Sequence, residues 1–304
     1  MAGSFSSKFR RRRFQNNLVV GICLAPSTAI ILVFTYFTFL FCVYLSFNKW
    51  NMLSPQRFIG LGNYIEAFTS DEFWNSLKVT FIYVGVSVPV CVVLGILAGL
   101  LLNWITFARG FFRLMIFLPV VVSMVVAATV WRILFNPDVG QINQILFSFG
   151  VKPSHWTQWG RDVEGGAMAA VLIVGIWKRI GYNAVLFLAG LKNISPTFYE
   201  AATIDGANAW HKFYRITLPL LSPTTFIVTV LQFISSFKVV ESVLIMTRGG
   251  PARSTWVLVL YIYDNAFGYL KMGYASAISV ILFITILLFT IVQMALEKKM
   301  VHYQ

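Results

Sequence analysis

Six blocks of twenty or more mainly apolar residues recur along the chain, at 18–47, 79–102, 114–134, 167–191, 220–246 and 275–296. A helix needs about 20 apolar residues to cross a hydrocarbon core roughly 30 Å thick, so each block is long enough to span one. The pattern predicts an all-α polytopic membrane protein of six transmembrane helices. The first block is long enough to tilt or protrude. It follows Lys8 and Arg10, Arg11, Arg12 and Arg13, as in the basic start of a signal peptide, but its apolar stretch is about twice the usual length. It reads as an uncleaved signal anchor. The organisation is then a basic segment 1–17, one membrane domain 18–296 and a tail 297–304.

Composition agrees with this placement: 58% of residues are hydrophobic and 12% charged, too little polar surface for a soluble particle. The formal net charge of +13 would point to nucleic acid in a soluble chain. With the N-terminus inside, segments 1–17, 103–113, 192–219 and 297–304 carry twelve Lys and Arg against three acids, and the outside loops carry eight against seven. The excess of positive charge is therefore an orientation signal, both termini inside, and calls for no nucleic acid. The basic N-terminus also suits anionic lipid. Trp50, Trp74, Trp156 and Trp159 in the outer loops 48–78 and 135–166 suit the membrane interface better than ligand contact, and Asn136-Pro137-Asp138 before Gly140 reads as a turn.

Catalytic signatures are missing. The three cysteines, Cys23, Cys42 and Cys91, all lie in apolar blocks with no CxxC pair, and the three histidines, His155, His211 and His302, are far apart, so neither a disulfide framework nor a zinc site is expected. No phosphate-cradling P-loop, G-x-S-x-G or H-E-x-x-H occurs, and Gly249-Gly250-Pro251 is a turn. The expectation is a non-enzymatic chain that binds no cofactor itself.

The segment 192–219 is the most informative. Ser195 suits an N-cap and Pro196 the first helical position, so a short helix is expected to start there. Phe198, Ala201 and Ala202 give it an apolar face, Gly206 permits a turn, and a second helical stretch with Trp210, Phe213 and Tyr214 leads to Pro219. An exposed apolar helix needs a cover. Glu200 and Asp205 make its polar side acidic, which favours a protein partner over anionic lipid.

Glu200-Ala201-Ala202, three residues, Gly206, nine residues, Ile216, one residue and Leu218-Pro219 resemble the EAA loop of ABC-importer permeases at every defining position. Met246-Thr247-Arg248-Gly249-Gly250-Pro251, Leu260-Tyr261-Ile262-Tyr263 and Met272-Gly273-Tyr274-Ala275-Ser276-Ala277 are similar to the carbohydrate-uptake group, nearest the maltose, lactose and glycerol-phosphate first permeases. Arg248 departs from it where Gly is common. The resemblance implies a bacterial inner-membrane subunit paired with a second permease, two ATPase copies that bind ATP and Mg, and an external solute-binding protein. In the family this loop, with Asp205 within it, is the coupling helix that seats in the ATPase.

Charged groups inside a span cost about 2.5–3.5 kcal/mol on insertion scales and usually face the bundle interior or a polar path. Arg132, Lys178, Arg179 and Lys238 stand in the predicted spans against Glu241, three residues from Lys238 and expected on the same helical face. Gln232, Ser236 and Val239 repeat at spacings of four and three as a stripe in span five, with Ser235 beside them as a further polar candidate for the path. These polar groups fit either a pathway or helix-to-helix hydrogen bonding, and the basic pair either a pathway, a subunit interface or snorkelling. The resemblance places Ser123 and Met124, Gly175, Trp177, Lys178, Arg179 and Asn183, and Gln232, Ser236 and Val239 at or beside the sugar-contacting positions, with Trp177 as a stacking plane. An ion-coupled secondary transporter is the alternative from another class, a glycerol phosphate the alternative solute.

Overall fold

The computed structural model describes residue 20 and residues 23–136, 139–150 and 166–300. The basic run at 10–13, Pro137, Asp138, Trp156 and Trp159 lie outside the described residues. The elements in order are α1 (Cys23–Ser46), β1 (Asn48–Lys49), β2 (Arg57–Phe58), α2 (Gly62–Thr69), α3 (Asp71–Trp104), α4 (Arg109–Val121), α5 (Met124–Leu134) and α6 (Gln141–Ser148). They continue with α7 (Gly166–Asn193), α8 (Pro196–Ile204), α9 (Ala209–Leu220), α10 (Ser222–Phe237), α11 (Glu241–Met246), α12 (Leu258–Tyr263) and α13 (Met272–Met300). Helices α1, α3, α7 and α13 are each long and apolar enough to cross a bilayer, and the bent pairs α4–α5 and α9–α10 bring the total to as many as six.

Two expected spans are not continuous helices. The block 114–134 divides at Val122 and Ser123, whose ψ values of 135° and 137° are extended, and its two halves meet at 95°. Pro119 lies in the last turn of α4, where its ring cannot donate back to the preceding turn, and the α4 carbonyls are left to find other donors. The block 220–246 breaks twice. Helices α9 and α10 meet at 61° around Leu221, and α10 ends at Lys238 before a kink at Val240 (φ −149°) starts α11. Lys238 and Glu241 therefore do not share a helical face, and no ion pair between them occurs among the described residues.

The second block under-reports its helix. Ser70 caps α3, accepting from the Phe73 N–H at 3.4 Å, and Asp71 and Glu72 fill the first turn, where the helix dipole favours acids. The resulting 34 residues extend about 51 Å, well past the hydrocarbon core. Helix α3 is the spine of the fold and packs along α7. Gly95 and Gly99, one turn apart, allow that approach: a Cβ at either would lie 2.7 Å from Asn183 Cβ or 2.9 Å from Phe187 Cβ. Phe81 of α3 meets Phe237 of α10 edge-on at 5.4 Å, and Phe233 and Phe237 pack on Phe289 of α13. The same α13 carries α1, with Phe39 and Phe283 at 4.7 Å.

A small cap closes one end. Strands β1 and β2 pair antiparallel (Asn48 opposite Phe58), the buried Asn63 donates to the carbonyls of Ser46 and Asn48 at 2.8 and 3.0 Å, and Gly273 lies so close that a Cβ would sit 1.8 Å from Asn48 O. The expected turn at Gly249-Gly250-Pro251 is present. Arg248 holds φ +51° there, a left-handed conformation that glycine adopts more readily. Trp74, expected at the interface, is exposed and donates to Phe68 O at 2.9 Å.

Candidate coupling element and membrane cavity

The segment after α7 is built as a short, self-braced helix pair. Ser195 Oγ accepts the Thr197 N–H at 3.4 Å and Pro196 opens α8. The helix stops at Asp205, and Gly206, at φ +76°, reverses the chain, with the Ala207 N–H returning to Ala202 O at 2.8 Å. Asn208 then caps α9 by accepting from His211 N–H at 2.8 Å. Tyr199 and Thr217 hydroxyls lie 3.0 Å apart, and Lys212 Nζ donates to Thr203 Oγ1 at 2.7 Å, so α8 is fastened to α9 by side chains.

What this pair leaves uncovered is a mixed surface. Glu200, Ala201, Asp205 and Gly206 are exposed, Ala202, Ile216, Leu218 and Pro219 are half-buried, and Phe198 stands out as expected. Ile204, 87% exposed and adjoining Asp205, is the largest apolar contribution that the helical spacing did not single out, because it lies off the Phe198–Ala202 stripe. Trp210 and Tyr214 extend the patch on α9. Tyr199, Glu200 and Thr203 also wall a recess of about 490 Å³ with Asn103 and Lys192.

A cavity of about 500 Å³ lies between α3, the α4–α5 break, α7 and the α10–α11 break. From the residues singled out above, Met124, Gly175, Lys178, Arg179, Gln232, Ser235 and Val239 line it. Ser123, Trp177, Asn183 and Ser236 stand outside the wall. Ser123 is the hinge of the broken pair. Trp177 is half-buried and packs edge-on against Trp131 at 5.5 Å. Asn183 is buried, donates to Cys91 O at 3.1 Å and accepts from Gln232 Nε2 at 2.7 Å, so it orients Gln232 from behind.

The basic pair has definite work in the fold. Lys178 Nζ donates to the carbonyls of Pro119, Val120 and Val122, the orphan acceptors at the broken end of α4, with the first two at 3.4 and 3.5 Å. A cation at a helix C-terminus is favoured by the dipole as well. Arg179 donates to Ser87 Oγ at 3.3 Å, Ser236 Oγ at 3.0 Å and Ser235 O at 3.2 Å, linking α3, α7 and α10. Lys238 and Glu241 occupy the exposed rim.

Tyr83 is the cavity residue that the sequence reading passed over. It comes from α3 and is fully buried, with its hydroxyl in the notch left by Gly175, where a Cβ would lie 2.4 Å from the oxygen. A signal for it exists: Ser76, Thr80, Tyr83 and Ser87 recur at four, three and four residues, a polar stripe along an apolar span, and all four are fully buried. Among the described residues no cluster of three or more His, Cys, Asp or Glu side chains is arranged for a metal.

Comparison with known proteins agrees with this architecture. Residues 59–302 match the family described as binding-protein-dependent transport system inner membrane component. The probable ABC transporter permease protein YesP of Bacillus subtilis (strain 168) is 34% identical over 306 residues, covering 99% of this chain and 97% of that protein. The sn-glycerol-3-phosphate transport system permease protein UgpA of Agrobacterium fabrum (strain C58 / ATCC 33970) is 32% identical over 95% of this chain and 98% of that one. The trehalose/maltose transport system permease protein MalF of Thermococcus litoralis is also 32% identical, over 98% of this chain and 99% of its own. A crystallised bacterial ABC transporter described as importing the acidic polysaccharide alginate has a chain of the same fold, with TM-score 0.82, 22% identity and coverage of 96% and 99%. With bent spans, an exposed helix pair after α7 and this match over most of its length, the chain belongs to the binding-protein-dependent transport system inner membrane components, and it is a permease subunit of an ABC importer.

Proposed function

We propose that this permease forms half of the translocation path for a carbohydrate or related polyol and that the segment 192–219 transmits the motion of a separate ATPase to it. The observation that carries the proposal is continuity: the α8–α9 pair joins α7 to α10, and these two helices supply Lys178, Arg179, Gln232 and Ser235 to the cavity. The trehalose/maltose and sn-glycerol-3-phosphate permeases among the relatives support the solute class. The acids Glu200 and Asp205 beside the exposed Phe198 and Ile204 suit a cleft with a basic rim and an apolar floor on the ATPase.

In this reading the chain spans the inner membrane six times with both termini inside. ATP and Mg act on two copies of the ATPase, and this chain binds no cofactor. A second permease supplies the other half of the path. A solute-binding protein delivers at the end beyond α11, where Arg132, Arg248, Asp264 and Tyr269 line a recess of about 1360 Å³. Rocking of the bundle between two discrete packings then opens the cavity to either side.

The test is Glu200→Lys in the reconstituted importer. Membrane insertion and chain stability are expected to match wild type, while uptake and solute-stimulated ATP hydrolysis are lost. Normal uptake with normal stimulation would show that α8 does not couple the two subunits.

A further inference from the structure

The cavity wall is unbalanced in charge and in hydrogen bonding, and both imbalances point to one kind of ligand. Lys178, Arg179 and Lys238 face Glu241 alone, and the ion pairs among the described residues, Arg253–Glu72 and Lys271–Glu66, lie elsewhere. Every acceptor that holds Lys178 or Arg179 is a neutral carbonyl or hydroxyl. Cations inside a bundle are costly unless an anion or a polar path compensates them. Two further groups on the same wall are buried and unmatched. Tyr83, 0% exposed, has its hydroxyl beside Ser87 and Arg179 yet placed for no full hydrogen bond with either, and Gln232, 3% exposed, uses its Nε2 on Asn183 and leaves Oε1 with no partner.

These two orphans differ in kind. Tyr83 next to Arg179 offers an O–H beside a guanidinium, a pair suited to an anionic oxygen. Gln232 Oε1 can only accept, so it calls for a ligand O–H or N–H. We propose that the cavity takes an acidic carbohydrate: a polyhydroxylated solute whose carboxylate or phosphate lies against Arg179 and the Tyr83 hydroxyl while one of its hydroxyls donates to Gln232 Oε1. Lys178 stays on the α4 carbonyls throughout and contributes field without direct contact. This inference rests on the carbohydrate-path reading and narrows it to anionic members of that class.

The experiment is calorimetric titration of the purified whole importer in detergent with four probes: digalacturonate, its dimethyl ester, glucose 6-phosphate and glucose. At least one acidic probe is expected to bind about tenfold more tightly than its neutral counterpart, as a charge-assisted hydrogen-bond pair would give. A preference confined to digalacturonate identifies a carboxylate, and one confined to glucose 6-phosphate a phosphate. Arg179→Gln should bring the acid-to-neutral ratio near one, Arg179→Lys should keep most of it, and Tyr83→Phe should lower it by a few fold. Equal binding within both pairs, or a ratio unchanged in Arg179→Gln, overturns the charge assignment and leaves the carbohydrate path standing. Absence of binding by all four overturns both.

Discussion

Replacing Lys178 by methionine distinguishes a structural cation from a passenger, because the two roles predict opposite signs. If the ammonium merely snorkelled to the bilayer surface or idled at a subunit interface, removing it would spare the span an insertion cost of about 2.5–3.5 kcal/mol and the folded chain would gain stability. In the structure the ammonium satisfies three carbonyls of the broken α4 end. Buried unsatisfied acceptors cost about 1–3 kcal/mol each. Two of the three contacts are long, at 3.4 and 3.5 Å, and one ammonium is shared among all three, so counting each in full would overstate the loss. With the charge–dipole contribution included, Lys178→Met should destabilise the fold by about 2–4 kcal/mol. Lys178→Arg keeps the charge and should recover part of the loss. The assay is unfolding of the purified permease in mixed micelles, read by tryptophan fluorescence, since Trp177 adjoins Lys178 and packs on Trp131. Unchanged or raised stability in Lys178→Met would refute the capping role.

Other outcomes follow from close contacts. Gly273→Ala puts a methyl 1.8 Å from Asn48 O, so the β1–α13 junction must open at a cost of about 1–3 kcal/mol, visible as increased proteolysis between β1 and α2. Gly181→Ala meets the Ile116 carbonyl at 2.2 Å and should push α4 away from α7, measurable as a longer spin-label distance between those helices. A double-mutant cycle of Asn183→Leu and Gln232→Leu should show a coupling of about 0.6–1.7 kcal/mol in micelle unfolding, because the 2.7 Å amide bond joins them. Gly206→Ala has open space around its Cβ but a φ of +76°, so about 1 kcal/mol of local strain without a clash is expected, with uptake reduced only modestly.

The parts of this fold that were legible from the chain are those governed by length and capping. Helices α3, α7 and α13 fall where apolar blocks exceed a bilayer's thickness, and α8 starts at Ser195-Pro196 and stops before Gly206 because local backbone chemistry decides those points. The breaks at Ser123 and Val240 were not legible. Hydropathy is blind to a helix interruption whose freed carbonyls are satisfied from another helix, and the donor for the first one, Lys178, lies 55 residues later in the chain than Ser123. The same limit applied to the cavity. Gln232, Arg179 and Lys178 stood out as polar groups in apolar spans, but whether each faces a ligand, a carbonyl or a serine depends on partners 49 to 92 residues away. Tyr83 escaped because a tyrosine in a span is commonplace, whereas its stripe with Ser76, Thr80 and Ser87 was the informative pattern.

How far a push on α8 can travel follows from the same contacts. Asn193, the last residue of α7, is fifteen residues from Lys178, about 22 Å along an unbroken helix. If the α8–α9 pair transmits motion as proposed, the unbroken α7 is the element that would carry it to the carbonyl-bound Lys178 and the serine-bound Arg179. Lys178 then draws on the end of α4 and, through the 95° hinge at Ser123, on α5, while Arg179 draws on Ser87 of α3 and Ser236 of α10. From the other side, α9 reaches α10 only through the 61° bend at Leu221, a joint that can flex. If the α8–α9 pair couples as proposed, α7 carries the motion as one helix beyond the Ile194–Ser195 connection and α10 receives it across the 61° bend, so the cavity is expected to change shape by α7 moving Lys178 and Arg179 relative to Gln232 and Val239. A cross-link holding α7 to α10 on the cavity side should therefore block uptake while leaving ATPase binding to α8 intact, and uptake that survives such a link would exclude this route.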